Sequence, residues 1–150
     1  MPVTDKDNGF AATLALLAQT PPKLETGVFG AKADQPHGDS KATVGDICNY
    51  MEHGTPTIPE RPFLSGWWDR HEEEAKARLA FAIRELGFGN MKSWDEVFRV
   101  FGNFCVAGIR AEMPTTDPPL ALSTIRRKGS WETLIESGLP RDSVDFRLVP

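Results

Sequence analysis

Three histidines and a run of acids are the side chains of this chain best suited to catalysis or metal binding. His71 lies within the run Asp69-Arg70-His71-Glu72-Glu73-Glu74, and His53 follows an acid at the end of a helical pattern. Zinc sites and general bases need such groups to converge, but neither a His-x-x-x-His pair nor a nucleophile motif accompanies them. We therefore interpret the run as the solvated start of a helix, and predict no catalytic residue, cofactor or metal ion. A small metal-dependent hydrolase that uses His53 and His71 is the alternative from another class.

Two other clusters are candidates for contacts with a partner. Adjacent tryptophans at a helix start cannot both face one core, so either Trp67 or Trp68 is predicted to cover a neighbouring segment or subunit. The basic turn Arg126, Arg127 and Lys128 has no interleaved aromatic residues, and the net charge of the chain is −4. These properties argue against a nucleic-acid site and favour a subunit contact, with nearby acids as candidate partners.

The composition is that of one ordinary globular domain spanning residues 1–150. Hydrophobic residues make up 40% and charged residues 25% of the 150 residues, which allows a sizeable core. Cys48 and Cys105 lie in apolar helical patterns, so we expect buried free thiols. We expect no signal peptide and no membrane span, hence a protein made in a cytoplasm-like compartment.

The periodicity of apolar residues predicts helices joined to two terminal strands. Four helices are expected, at about 8–19, 43–53, 66–86 and 94–112, and two strands, at 24–30 and 144–149. Ser93 and Glu96 predict a capping box, and Gly54 a helix end. The segment 31–42 is predicted to be a mobile loop or arm. The expected fold class is α+β, with a small antiparallel sheet from the N- and C-terminal strands covered by three or more helices.

Two motifs carry no catalytic chemistry but have a distinctive order and spacing. The first is a helix over 43–53 that ends in Glu52-His53-Gly54-Thr55 and leads into Ile58-Pro59-Glu60-Arg61-Pro62-Phe63-Leu64. In it Gly54 turns the chain, the prolines keep it extended, and Phe63 and Leu64 are predicted to enter the core. The second begins at Pro118-Pro119-Leu120, passes through the basic turn and Gly129, and continues through Thr133-Leu134-Ile135-Glu136-Ser137-Gly138 to the final strand.

Together these motifs resemble the virion morphogenesis proteins of tailed bacteriophages, which complete the neck, the head–tail junction or the tail. The resemblance covers roughly residues 25–64 and 118–149. It implies a structural protein of the virion, assembled in the host cytoplasm as a ring of identical subunits, a hexamer or a dodecamer. It further implies portal, connector or head-completion proteins on one side and tail terminator, tube or sheath proteins on the other. DNA would pass through such a ring without sequence-specific binding, and no enzymatic activity or membrane is implied.

For such a ring the sequence offers several candidate contact residues. We expect contacts with neighbouring subunits or partners from the segment 55–64, the arm at 31–42 and the basic turn. The individual candidates are Ile58, Arg61, Phe63, Trp67, Arg126, Arg127 and Lys128. A tail assembly factor that is not retained in the virion is the alternative within the same class.

Overall fold

A two-stranded antiparallel sheet joins the first and last parts of the chain and packs on its longest helices. The computed structural model describes residues 9–37, 41–129, 131 and 139–150, with the backbone alone at 127 and 128. Its helices are α1 (Phe10–Leu17), α2 (Val44–His53), α3 (Ser65–Gly87), α4 (Trp94–Glu112), α5 (Leu122–Lys128) and α6 (Leu139–Asp142). Its strands are β1 (Lys23–Val28) and β2 (Val144–Val149). The predicted α+β class, with its terminal strands paired beneath helices, is confirmed.

The sheet follows from the alternation of side chains along β2. In the pairing register Lys23 lies opposite Val149, and Val28 lies opposite Val144. Phe146 packs against α4 at Gly102, where an added Cβ would lie 2.5 Å from the ring. On the other face Arg147 forms an ion pair of 2.7 Å with Glu25. One face of the sheet therefore joins the core while the other is polar.

Helices α3 and α4 pack against each other and build most of the core. The inner face of α4 repeats at helical spacing, and Val97, Cys105 and Ile109 are fully buried there. The opposing face of α3 contributes Trp67 and Leu86, also buried. Both cysteines are free and buried, as predicted. Burial raises the pKa of the Cys48 thiol to about 11 and that of Cys105 to about 12.

The helix boundaries agree with the local sequence signals. Thr43 caps α2 in a full capping box with Asp46, and Gly54 ends that helix with a φ of 72°. At the start of α4 the Ser93 side chain accepts a hydrogen bond from Glu96 N. The Glu96 carboxylate instead accepts from Lys92 N, so the predicted box is formed by half.

The segment 31–42 was predicted to be a mobile loop or arm; its described part is an irregular loop that is hydrogen-bonded to the start of α2. Ala33 is buried, and its carbonyl accepts a hydrogen bond of 2.8 Å from Gly45 N. Val44 N donates to Gln35 O at 2.9 Å, and Pro36 forms an isolated bridge with Thr43. Because these bonds satisfy the amides at the start of α2, the segment lies along the domain rather than extending from it. Residues 38–40 lie outside the described part.

Candidate assembly surface

The two sequence motifs meet in space through Arg61. Its side chain is only 6% exposed. Nε donates a hydrogen bond of 2.7 Å to Pro118 O, and Nη2 donates one of 3.3 Å to Pro119 O. Burial lowers the pKa of the Arg61 guanidinium, which nevertheless stays charged at neutral pH. Arg61 thus clamps together two segments that lie 57 residues apart in the sequence.

Glu52, from the same motif, caps the longest helix from outside. One carboxylate oxygen accepts from Leu64 N at 2.9 Å, and the other accepts from Ser65 N at 2.8 Å and from Ser65 Oγ at 2.6 Å. A carboxylate at a helix N-terminus is favoured by the unpaired amides and by the helix dipole. Glu52 therefore fixes where α3 begins relative to α2.

Three of the candidate contact residues have roles inside the subunit. Arg61 forms the clamp, while Phe63 and Trp67 are each 1% exposed. Trp67 fits against α4 at Gly108, and the half-buried Trp68 lies edge-on to it at 5.2 Å. Burial confirms the prediction that Phe63 enters the core, and it corrects the expectation that Arg61, Phe63 and Trp67 contact a neighbour. Their segment instead exposes Pro56, Thr57, Pro59 and Glu60, with Ile58 half-buried.

The basic cluster lies on a helix rather than on a turn. Arg126 is exposed in α5, which ends after residue 128 at Gly129 with a φ of 70°. The side chains of Arg127 and Lys128, and the whole of the Thr133–Gly138 stretch, lie outside the described part. A contact between this cluster and a neighbouring subunit stays a prediction.

Of the two histidines considered as metal or catalytic residues, His71 contacts Glu112 of α4, whereas His53 has no such partner acid among the described ion pairs. His71 Nε2 lies 2.5 Å from Glu112 Oε1, and Arg70 Nη2 lies 2.6 Å from Glu112 Oε2. Although partial burial opposes it, hydrogen bonds from Arg70 and His71 lower the pKa of Glu112. His53 is exposed at the end of α2. Among the described residues, no three His, Cys, Asp or Glu side chains converge as metal ligands.

The least expected feature is an apolar surface around α1. None of the residues of α1 is buried, although its sequence, FAATLALL, has no charged side chain. Phe10, Leu14 and Leu17 follow one stripe and are 70%, 50% and 39% exposed, and Phe88 is 71% exposed. Phe10 and Phe88 also line one groove of about 870 Å³ between α1 and the α3–α4 connection. We call these four side chains the α1 surface.

The α1 surface was not among the predicted contacts, although the sequence contained a signal for it. A helix that buries one face normally carries polar residues on the opposite face. This helix has none, apart from Thr13, and it is held to the domain by Leu16, whose carbonyl accepts a hydrogen bond of 3.0 Å from Trp94 Nε1. The uncharged apolar sequence of this helix therefore indicated a candidate contact surface.

Comparisons with known proteins do not assign the chain to a family. No helix in the described part of the chain is long and apolar enough to cross a membrane. No family model, no curated protein and no solved structure matches the sequence or the fold. The resemblance to phage morphogenesis proteins therefore depends on the motifs themselves.

Proposed function

We propose that this protein is a structural component of a tailed-phage virion, which forms a ring at the head–tail junction or at the head-proximal end of the tail. In this proposal the ring surrounds the DNA path and matches the portal or connector on one side and the tail on the other. Its role is geometric, since each subunit is a rigid block whose surfaces define the curvature and the two faces of the ring.

The observation that carries the proposal is the α1 surface. A phenylalanine side chain buries about 200 Å² when fully covered, so the exposed 70% and 71% of Phe10 and Phe88 amount to roughly 280 Å². With the two leucines added, the exposed apolar area reaches a few hundred Å², the size of the largest apolar patch on a typical monomer, which is often functional. A specific interface covers about 800 Å² per partner, with an apolar centre and a polar rim. The α1 surface has the size and composition of such a centre.

The internal clamp is a second line of support. Arg61 and Glu52 are buried charged residues, and both hold backbone groups by hydrogen bonds: Arg61 binds Pro118 O and Pro119 O, and Glu52 binds Leu64 N and Ser65 N. Buried charges fully used on backbone groups fix the relative positions of segments. Such rigidity suits a subunit that must repeat the same contact around a closed ring.

The proposal is tested by measuring assembly of the purified protein. We expect sedimentation velocity and negative-stain microscopy to find closed rings at high concentration, or on addition of head and tail proteins encoded by neighbouring genes. Leu14→Glu should abolish the rings while leaving the circular dichroism spectrum unchanged. Ala80→Glu, at an exposed position on α3, is the matched control and should assemble normally.

Two results would refute the proposal. One is a protein that forms no ring, either alone or with those head and tail components. The other is normal ring assembly by the Leu14→Glu variant, which would remove the observation on which the proposal depends.

A further inference from the structure

The two outer edges of the sheet differ in whether side chains form hydrogen bonds with their backbone groups. The pairing pattern shows which N–H and C=O groups point outward at each edge. Phe29 N donates a hydrogen bond of 3.0 Å to Ser143 O, one step beyond the pair Val28 and Val144. Hydrogen-bonded pairs alternate along an antiparallel ladder. The even-numbered residues of both strands therefore direct their N–H and C=O groups outward.

The outer edge of β2 is partly covered by side chains. Arg110 Nη2 donates a hydrogen bond of 2.7 Å to Val144 O. The carboxylate of Asp145 accepts one of 2.8 Å from Phe146 N. Both backbone groups are outward-directed ones, and covering them is a usual way of protecting a sheet edge.

The outer edge of β1 has no such cover. Its outward groups belong to Leu24, Thr26 and Val28, and no hydrogen bond from any described residue outside the ladder reaches them. The hydroxyl of Thr26 is also buried without a hydrogen-bond partner in the described structure. An open edge of this kind is a template for a further strand.

We propose that β1 pairs with β1 of a second copy, antiparallel and centred on Thr26, to form a four-stranded sheet. In this register Thr26 faces the partner's Thr26, and Leu24 faces the partner's Val28. Paired threonines can share a hydrogen bond across strands after rotation of the side chain, which would give the unsatisfied hydroxyl a partner. A cleft of about 210 Å³ borders Val28 and is lined by Cys48 and Phe63, so it can receive the incoming leucine.

The charges on the opposite face select this register. Centred on Thr26, Glu25 faces the partner's Gly27 and Lys23 faces the partner's Phe29, so no like charges are directly opposed. In the alternative register centred on Glu25, the two Glu25 side chains would lie directly opposite each other, and this repulsion between like charges is destabilising. The other registers that pair the outward backbone groups of Leu24, Thr26 and Val28 with those of the partner have fewer paired residues. The edge is therefore self-complementary.

This pairing goes beyond the proposed ring and does not depend on it. It is a two-fold contact between identical edges, whereas a closed ring of one subunit type is built from two different surfaces. The inference therefore describes a dimer of the free protein. Rings that form while the β1 amides stay unprotected would refute the dimer alone, and a dimer that never forms rings would refute the ring alone.

The first test is hydrogen exchange combined with sedimentation. We expect a concentration-dependent dimer in which the amides of Leu24, Thr26 and Val28 become protected in parallel with dimer formation. Thr26→Pro removes an outward N–H while sparing the ladder to β2. It should weaken the dimer about ten- to a hundredfold, because two hydrogen bonds are lost per dimer.

The second test holds even if that variant fails to fold. Paired threonine Cα atoms would lie about 5.5 Å apart, within the range that a disulfide spans, so Thr26→Cys should form a covalent dimer on mild oxidation. Lys23→Cys is the control, since its two copies would be about 20 Å apart in this register. Equal cross-linking of both variants, or a wild-type monomer whose three β1 amides exchange freely at high concentration, would overturn the pairing. Protection that appears only on addition of another protein would also overturn it.

Discussion

The close packing of α3 on α4 gives the sharpest stability prediction, at Gly108. A Cβ added there would lie 2.6 Å from Cζ2 and Nε1 of Trp67 and 2.7 Å from Cε2. Ordinary contacts between such atoms occur at about 3.5–4.0 Å. Trp67 is 1% exposed, so its ring has no free space into which it can move. Gly108→Ala therefore forces a shift of the indole or of the helix.

The magnitude is the difference between two opposing effects. Overpacking a well-packed core costs typically 1–3 kcal/mol. Replacing glycine by alanine inside a helix returns about 1 kcal/mol. We expect the free energy of unfolding to fall by about 1–2 kcal/mol, because the overlap involves three ring atoms at once. For a chain of this size that corresponds to a melting temperature lower by roughly 2–8 °C.

The assay is thermal and urea unfolding, followed by circular dichroism and by tryptophan fluorescence. Gly87→Ala is the matched control, because Gly87 is also helical and an added Cβ would meet nothing within 4 Å. That variant should be more stable than the wild type by about 0.5–1 kcal/mol. If Gly108→Ala proved as stable as Gly87→Ala, the packing of Trp67 against α4 would be wrong.

Three further predictions concern Arg61, Glu112 and the two cysteines. Arg61→Met should lower the free energy of unfolding by about 1–3 kcal/mol in urea titrations, because two proline carbonyls lose their donor, whereas a wild-type midpoint would contradict the clamp. Since Arg70 and His71 lower the pKa of Glu112 in the folded state, its contribution is present above the ordinary value of 4.5 and is lost as the pH falls through the lowered pKa. Glu112→Gln should therefore flatten the acid side of the stability–pH curve, and an unchanged slope would count against the ion pair. The two cysteines, whose pKa values burial raises to about 11 and 12, should react with a thiol reagent at pH 8 only on unfolding, and rapid labelling of the native protein would disprove their burial.

Local signals in the sequence were sufficient for helices α1–α4 and for both strands, but not for the short helices α5 and α6. The capping residue Ser93 marks the start of α4, and the alternation of Val144, Phe146 and Leu148 marks β2, because each signal lies within a few neighbouring residues. The loop predicted at 31–42 is present in its described part, but hydrogen bonds hold it against the domain. Its one proline, Pro36, and its one glycine, Gly38, indicate only an irregular backbone, whereas the hydrogen bonds that anchor the loop come from the start of α2.

The candidate contact residues were harder to predict, since their surroundings come from distant parts of the chain. A lone arginine between prolines suggests the surface, but the carbonyls that bind Arg61 come from the second motif. Trp67 could be recognised as buried only with knowledge that Gly108 leaves space for it on another helix. The α1 surface was missed for the opposite reason. The nearly uniform apolar sequence of α1 is typical of a buried helix, but in the structure none of its residues is buried.

The pairing of β1 with β2 has a consequence for synthesis on the ribosome. The strands occupy residues 23–28 and 144–149, so the sheet cannot close until almost the whole described chain has emerged. Closing so long a loop is entropically costly and slows folding. During translation β1 lacks both its partner strand and the packing of Phe146. Its unpaired edge and exposed apolar side chains then make the nascent segment prone to aggregate. We expect the helical pair α3–α4 to form first and to serve as the platform on which the sheet assembles last.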